Sequence, residues 1–429
     1  MPKPVPVSFR QFVDSIAASD QARSIADPVR IAGIPGLVQK EENSGNRALI
    51  LDRVEGYHGR LVANLFGSED RILLSVGTQD RAAFFNEIDA AIERPRPLNY
   101  TRDDCPEFER HAGPGLSSAR LPPIVHSELD STPYITSGVV VARNPSTGLH
   151  HLCFIRLAII DDRTLSFNAT TPRIREICRL TVGAGLPLDV LVLIGAPPKV
   201  LLSGALHFPD GVDELEVVQG WAGDGLEFVR RRLPIPRTTE IALIGQVIPE
   251  YRQEGPFGDS FGTYSTRRNP ICKIREVWTQ KQTPLYHMLL GGVSTEHVEL
   301  LVLKARHELE HQLARRDGLV DYALPVFGGG RLCILKVLPG LDVKPWLNDL
   351  FRIPLIRTVV LVDTDIDMAS ERDILWAITR RTDGESSFEF GCDGSGSTKA
   401  NKVVIDARAA NPGDWNDRRI AAPAPLSAP

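Results

Sequence analysis

Short apolar runs separated by turn signals constrain this chain most. Val139-Val140-Val141, Leu149 to Ile160 and Thr164 to Phe167 have the apolar, β-branched character of strands. Asn144-Pro145-Ser146-Thr147-Gly148 and Asp161-Asp162-Arg163 separate them as turns. Such short spacers join antiparallel neighbours, because a parallel crossover needs a dozen residues or more. A helix over Pro172 to Gly185 interrupts the meander, and further strands are predicted at Val190 to Ile194, Leu226 to Arg232 and Glu240 to Val247. Strands this closely spaced predict a β-barrel core over roughly residues 121–300.

The flanks read differently. A chain of 429 residues holds two or three domains at roughly 100–200 residues each. Residues 1–120 mix elements: Phe9 to Ile16 and Asp80 to Ile92 have helical apolar spacing, and Arg47 to Leu51 reads as a strand. Arg94 to Pro123, rich in Pro and charge, reads as a loop. A long helix, Glu296 to Arg316, leads out of the barrel. Residues 301–429 then alternate strand (Val359 to Val362) and helix (Glu371 to Thr379), a three-layer pattern. Ala421 to Pro429 is rich in Pro and Ala and is expected to be disordered. The fold class is therefore mixed α/β.

A net charge of -5 and a pI near 6.1 argue against a nucleic-acid partner held on a broad basic face. No apolar run approaches the ~20 residues that cross a bilayer, and Met1-Pro2-Lys3-Pro4 lacks a signal-peptide core. The six cysteines are scattered without a Cys-x-x-Cys pair, against a disulfide framework or zinc knuckle. Together these predict a cytoplasmic protein with buried thiols.

Four features carry chemical potential. Gly255-Pro256-Phe257-Gly258 reads as a tight turn that presents Glu254 on one side and Asp259 on the other. Two acids on a fixed path suit general acid/base work; a solvated surface turn is the other reading. Arg156 lies in an apolar strand, so its charge needs a carboxylate or phosphate partner, structural or functional. His307-Glu308-Leu309-Glu310-His311 matches the zinc-hydrolase pattern His-Glu-x-x-His. Its histidines, however, fall roughly opposite the stripe Val298, Leu301, Val302, Ala305, Leu309 and Leu313, as on a solvated face. Phe327-Gly328-Gly329-Gly330 reads as a hairpin turn and lacks the Lys-Ser/Thr of a phosphate loop.

In order, these pieces resemble the UbiD family of prenylated-FMN-dependent (de)carboxylases. The resemblance runs through Asp130-Ser131-Thr132-Pro133-Tyr134, the strand ending in Arg156, and Pro209-Asp210-Gly211-Val212-Asp213-Glu214. It continues through Glu250 to Asp259, Pro284-Leu285-Tyr286-His287, Val362 to Asp367 and Val404-Ile405-Asp406-Ala407. It implies an N-terminal mixed domain, a split β-barrel for prenylated FMN, and a C-terminal α/β domain that oligomerises as a homodimer or hexamer. It also implies reversible decarboxylation of an aromatic, heteroaromatic or α,β-unsaturated acid, with a flavin prenyltransferase supplying the cofactor. In the best-studied branch of that family the cofactor's azomethine ylide adds across the substrate double bond, carbon dioxide leaves, and an acid delivers a proton.

By the same resemblance, Arg156 engages the substrate carboxylate and cofactor, Glu254 pairs with it, and Asp259 protonates the product. Phe154, Ile155, Pro172 and Leu206 join His151, Arg156, Arg173, Glu214 and Arg357 around the cofactor. The family holds the flavin phosphate through manganese, with potassium nearby, using Asn, His and Glu ligands. Here Glu214 matches the Glu, His151 stands at the Asn position, and Arg173 falls on or beside the His. Arginine has no lone pair for a metal. The expectation is that Arg173 and Arg357 bind the phosphate directly, in partial replacement of a metal left with His151 and Glu214. Two alternatives accompany this reading: a diverged member that binds flavin or acid without turnover, and a zinc hydrolase using His307, Glu308 and His311.

Overall fold

The computed structural model describes residues 5–101, 105–112, 120–206, 208–313, 316–391 and 402–410. It divides into two compact units, Met1–Leu300 and Leu301–Pro429.

Unit 1 begins with α1 (Phe9–Ala17), capped by Ser8 and burying Phe9, Phe12, Val13 and Ile16 at helical spacing. Then come β1 (Ala22–Ile25), α2 (Ile34–Ser44), β2 (Ala48–Leu51), β3 (Arg60–Ala63), α3 (Glu69–Ser75), α4 (Arg81–Glu93) and β4 (Phe108–Ala112). The segment from Arg94 to Pro123 is thus not all loop. β4 forms because a partner strand far along the chain supplies its hydrogen bonds, which local composition cannot announce.

The meander follows as β5 (Tyr134–Ile135), β6 (Val139–Arg143), β7 (His150–Phe154), β8 (Leu157–Ile159) and β9 (Thr164–Phe167). After it come α5 (Pro172–Leu180), β10 (Leu188–Ile194), α6 (Pro198–Ala205), α7 (Glu214–Ala222), and the short pair β11 (Phe228–Val229) and β12 (Ile235–Pro236). A long hairpin, β13 (Ile241–Gly258) and β14 (Tyr264–Gln280), leads to β15 (Leu285–Met288) and α8 (Thr295–Gln312). The main sheet runs β5-β8-β9-β14-β13-β10-β6-β7, with β4 on β14. A smaller sheet, β1-β2-β3-β15, shares its apolar core through residues such as Leu49, Leu61, Val192 and Leu243.

Two strand readings need correction. Leu149 to Ile160 is two strands, because the chain leaves the ladder at Ile155 and Arg156. Gly255-Pro256-Phe257-Gly258 is not a turn but the irregular end of β13, which stays paired with β14 as far as Gly258↔Tyr264. The register shifts between Glu254 and Phe257, and Gly255 takes φ 96°. A Cβ there would come 2.5 Å from the Ser265 carbonyl oxygen, so glycine is required.

Unit 2 contains β16 (Leu319–Ala323), β17 (Leu332–Val337), α9 (Leu347–Arg352), β18 (Thr358–Val362), α10 (Glu371–Arg381), β19 (Phe388–Gly391) and β20 (Lys402–Asp406). Its sheet runs β16-β17-β18-β20-β19, parallel at its centre and antiparallel at both edges. β18 is buried along Val359–Val362, as a central parallel strand is. Phe327-Gly328-Gly329-Gly330 lies in the β16–β17 connection. The expected tail, Ala421 to Pro429, lies outside the described residues. Among the described residues no helix is long and apolar enough to cross a membrane, and no disulfide joins the described cysteines.

Candidate active site

Arg156 occupies the gap between β7 and β8. Its Nη2 donates to Glu254 Oε2 at 3.2 Å, and Nε lies 3.2 Å from Oε1 without hydrogen-bond alignment. The two side chains are 12% and 1% exposed. A buried charge pair persists only when its remaining capacity is met. Here Asn269 Nδ2 donates to Glu254 Oε2 at 2.7 Å, and Arg156 Nη1 donates to Ser265 Oγ at 3.2 Å. The guanidinium carbon lies 4.6 Å from the centroid of Phe257, on which Tyr134 packs at 4.4 Å.

The register explains why these residues meet. Glu254 opposes Arg267 across the hairpin, so Ser265 and Asn269 are its diagonal neighbours at the period of two. Neither Ser265 nor Asn269 could be found from local sequence, because their role depends on pairing between distant strands. Asp130 was legible only as part of a motif. Its Oδ1 accepts from Gly258 N at 2.9 Å while Oδ2 accepts from His126 N and Ser127 N, fastening the strand end beside Asp259. His126 lies behind Phe257: Nδ1 accepts from Gly291 N at 3.2 Å, which leaves Nε2–H to donate to Tyr134 O at 3.3 Å. Burial pushes its pKa down to about 4.

Asp259 stands apart from the ion pair. Its Oδ1 accepts from Phe261 N, Thr263 N and Thr263 Oγ1, all in its own hairpin loop. Its charge also bears on His297 of α8, whose pKa is lowered by burial against the pull of Glu296 and Asp259.

A second cluster forms at the other end of β7. His151 Nδ1 lies 2.9 Å from Glu214 Oε1, Arg173 Nη1 donates to the same oxygen, and Leu152 N donates to Oε2. Arg173 Nη2 also donates to Phe208 O at 2.6 Å and Asp210 Oδ1 at 2.8 Å. Asp213 caps α7 and accepts from His150 N and Nδ1, which fixes Glu214 at the first helical position. Pro172 begins α5, Phe154 ends β7, buried Ile155 follows it, and Leu206 closes α6. Arg357 belongs to unit 2, where its backbone joins Arg331 and Val403.

Among the described residues, the buried polar atoms that lack a hydrogen-bond partner include His151 Nε2, Arg156 Nε, Asn168 Oδ1, Thr171 Oγ1 and Glu254 Oε1. All five lie between β7 and α5 or on β13. Arg156 Nε and Glu254 Oε1 face each other at 3.2 Å; an unmet buried polar group is costly, so His151 Nε2, Asn168 Oδ1 and Thr171 Oγ1 fit a polar ligand such as a flavin nucleotide. The His-Glu-x-x-His residues differ: His307 and His311 face each other, Nε2 to Nε2, at 3.0 Å, and Glu308 pairs with Lys304 at 3.6 Å.

The chain is similar to known proteins over nearly its whole length. The chain is 25% identical over 420 residues, 94% of its length and 96% of the relative's, to the anhydromevalonate phosphate decarboxylase of Methanothermobacter thermautotrophicus. An evolved dimeric form of the UbiD-class enzyme HmfF from Pelotomaculum thermopropionicum, in complex with prFMN, superposes with TM-score 0.83 at 23% identity over 97% of both chains. Apo 3,4-dihydroxybenzoic acid decarboxylase (AroY) of Klebsiella pneumoniae superposes with TM-score 0.80 at 20% identity over 94% of both. The 3-octaprenyl-4-hydroxybenzoate carboxy-lyase Rift-related domain matches residues 100–294, and the carboxy-lyase C-terminal domain matches residues 301–407. With both domains matched in order, the chain belongs to the UbiD family and is a UbiD-class decarboxylase.

Proposed function

We propose that this chain reversibly and non-oxidatively decarboxylates an aromatic, heteroaromatic or α,β-unsaturated carboxylic acid, using prenylated FMN held in the split barrel. The buried Arg156–Glu254 pair carries this reading, because it holds a guanidinium only 12% exposed in one orientation beside Phe257. Bound prenylated FMN supplies the electron sink that a plain carboxylate lacks.

The chain's own residues do the rest. Arg156 presents a fixed cation to the substrate carboxylate, and Glu254, Ser265 and Asn269 hold that cation in one orientation. Phe257 and Tyr134 wall off water on one side. The bond to the carboxylate breaks, carbon dioxide departs, and the vacated carbon takes a proton from Asp259. Asp259 suits that task because its loop engages Oδ1 and leaves Oδ2 for the proton. A proton positioned in this way contributes on the order of 10²–10⁴ in rate. A flavin prenyltransferase supplies the cofactor, and the chain works as a homo-oligomer.

The test is co-expression with a flavin prenyltransferase and a screen of aromatic, acrylic and phosphorylated unsaturated acids for carbon dioxide release. Asp259→Asn should abolish solvent deuterium uptake into product while cofactor loading persists. Retained uptake removes Asp259 from the acid role. Silence of the loaded wild type on every acid overturns the reading.

A further inference from the structure

We infer that the Glu214 corner grips a phosphate monoester with the Arg173 guanidinium and accepts no divalent cation. The inference rests on the flavin reading above and deepens it.

A divalent metal of the kind expected here takes about six ligands, mostly oxygens with free lone pairs. The residues present do not offer them. Glu214 Oε1 is shared by His151 Nδ1 and Arg173 Nη1, and Oε2 is taken by Leu152 N. The Glu214 side chain is 3% exposed, so no water completes a coordination sphere from its far side. Arg173 is no passing neighbour. Three acceptors on three residues (Glu214, Phe208 and Asp210) hold its fork. A metal at this carboxylate would meet a fixed positive charge that cannot deprotonate. His151 must carry its proton on Nδ1 to face the carboxylate, which leaves Nε2 as one imidazole nitrogen, too few donors for a site.

The same atoms suit an anion. Arg173 brings a planar cation oriented by Glu214, Phe208 and Asp210, with Nε–H and the second Nη1–H left for a phosphate, so binding costs little reorganisation. Thr171 precedes the nine-residue α5, and its Oγ1 is buried without a partner, as is His151 Nε2. The first N–H groups of that helix have no intrahelical acceptor. Cation, hydroxyl and helix start are thus assembled around Glu214 without a metal.

Three measurements on the full-length chain test this: metal content after co-expression with a flavin prenyltransferase in manganese-supplemented medium, direct Mn²⁺ titration, and FMN and riboflavin titrations with and without EDTA. The expected result is far less than one manganese per chain, no saturable Mn²⁺ binding, and an FMN affinity that EDTA leaves unchanged. Arg173→Gln should weaken FMN by on the order of 10- to 100-fold, the scale of a charged hydrogen-bonding contact, with riboflavin unaffected. The double variant Arg173→His with His151→Asn should gain manganese; Arg173→Lys, which keeps the charge, should lose less FMN affinity than Arg173→Gln and guards against misfolding. One manganese per wild-type chain, or FMN release by EDTA, overturns the inference. If FMN never binds, the flavin reading fails; the Mn²⁺ titration still decides the cation.

Discussion

Replacing Glu254 by glutamine keeps the side chain's shape and removes its charge. Arg156 would then be a buried guanidinium held only by neutral partners, since its side chain is 12% exposed. Breaking a buried pair from one side costs about 3 kcal/mol or more, whereas an apolar pair of similar size in both places can be neutral. We expect Glu254→Gln to lose that much stability in chemical denaturation and to lose decarboxylation. Arg156→Met combined with Glu254→Leu should recover the stability and none of the activity. A loss in the double variant equal to the sum of the losses in Arg156→Met alone and Glu254→Leu alone would mean that the pair is not energetically coupled. At this scale much of the site was legible. Arg156 and Glu254 stood out because a charge in an apolar strand and an acid beside Gly-Pro each need a reason. Asn269 and Ser265 did not, because an exposed-looking hairpin sequence gives no sign of which diagonal faces the buried acid.

The strand end of β13 is held by loops as much as by its ladder, and His126 is the part of that support that titrates. Gly291 N donates to its Nδ1, so the ring must be neutral there, and protonation would break that bond in a buried site. Its folded pKa, about 4, lies below the ordinary value of 6.5. A depressed pKa means that the unfolded chain binds the proton first as pH falls. The stabilisation is therefore complete above about 6.5 and is lost as pH falls toward 4, by about 3 kcal/mol over the window. Denaturation midpoints measured across that window should fall less steeply in His126→Gln than in the wild type. Parallel curves would show that His126 does not titrate on unfolding. Element boundaries show the same division between local and distant causes. Thr164 to Phe167 matched its strand because turn and apolar signals sit side by side. Leu149 to Ile160 was read as one strand because its apolar run is continuous, and only the change of partner, from β6 for β7 to β5 and β9 for β8, shows the break. The apparent Gly-Pro-Phe-Gly turn is strand for a similar reason: its residues break local regularity while the ladder to β14 continues past them.

Across the whole molecule, each unit has a core of its own. Unit 1 is built on residues such as Val192, Leu243 and Val277; unit 2 is built on Ile334, Val360, Val362 and Ile374, with α10 against its sheet. Separate cores make a single two-state unfolding transition the wrong expectation. His151, Arg156, Arg173, Glu214, Glu254 and Asp259 all lie in unit 1, whereas Arg357 lies in unit 2. Scanning calorimetry should therefore resolve two transitions, and FMN should raise the one that belongs to unit 1. At a hundred times its dissociation constant a ligand stabilises the unit that binds it by about 2.7 kcal/mol. Arg156→Met identifies that transition independently, since it lowers stability in unit 1 alone. An FMN shift confined to the other transition would place the flavin outside the barrel and remove the basis for every role assigned above to Arg156 and Glu254.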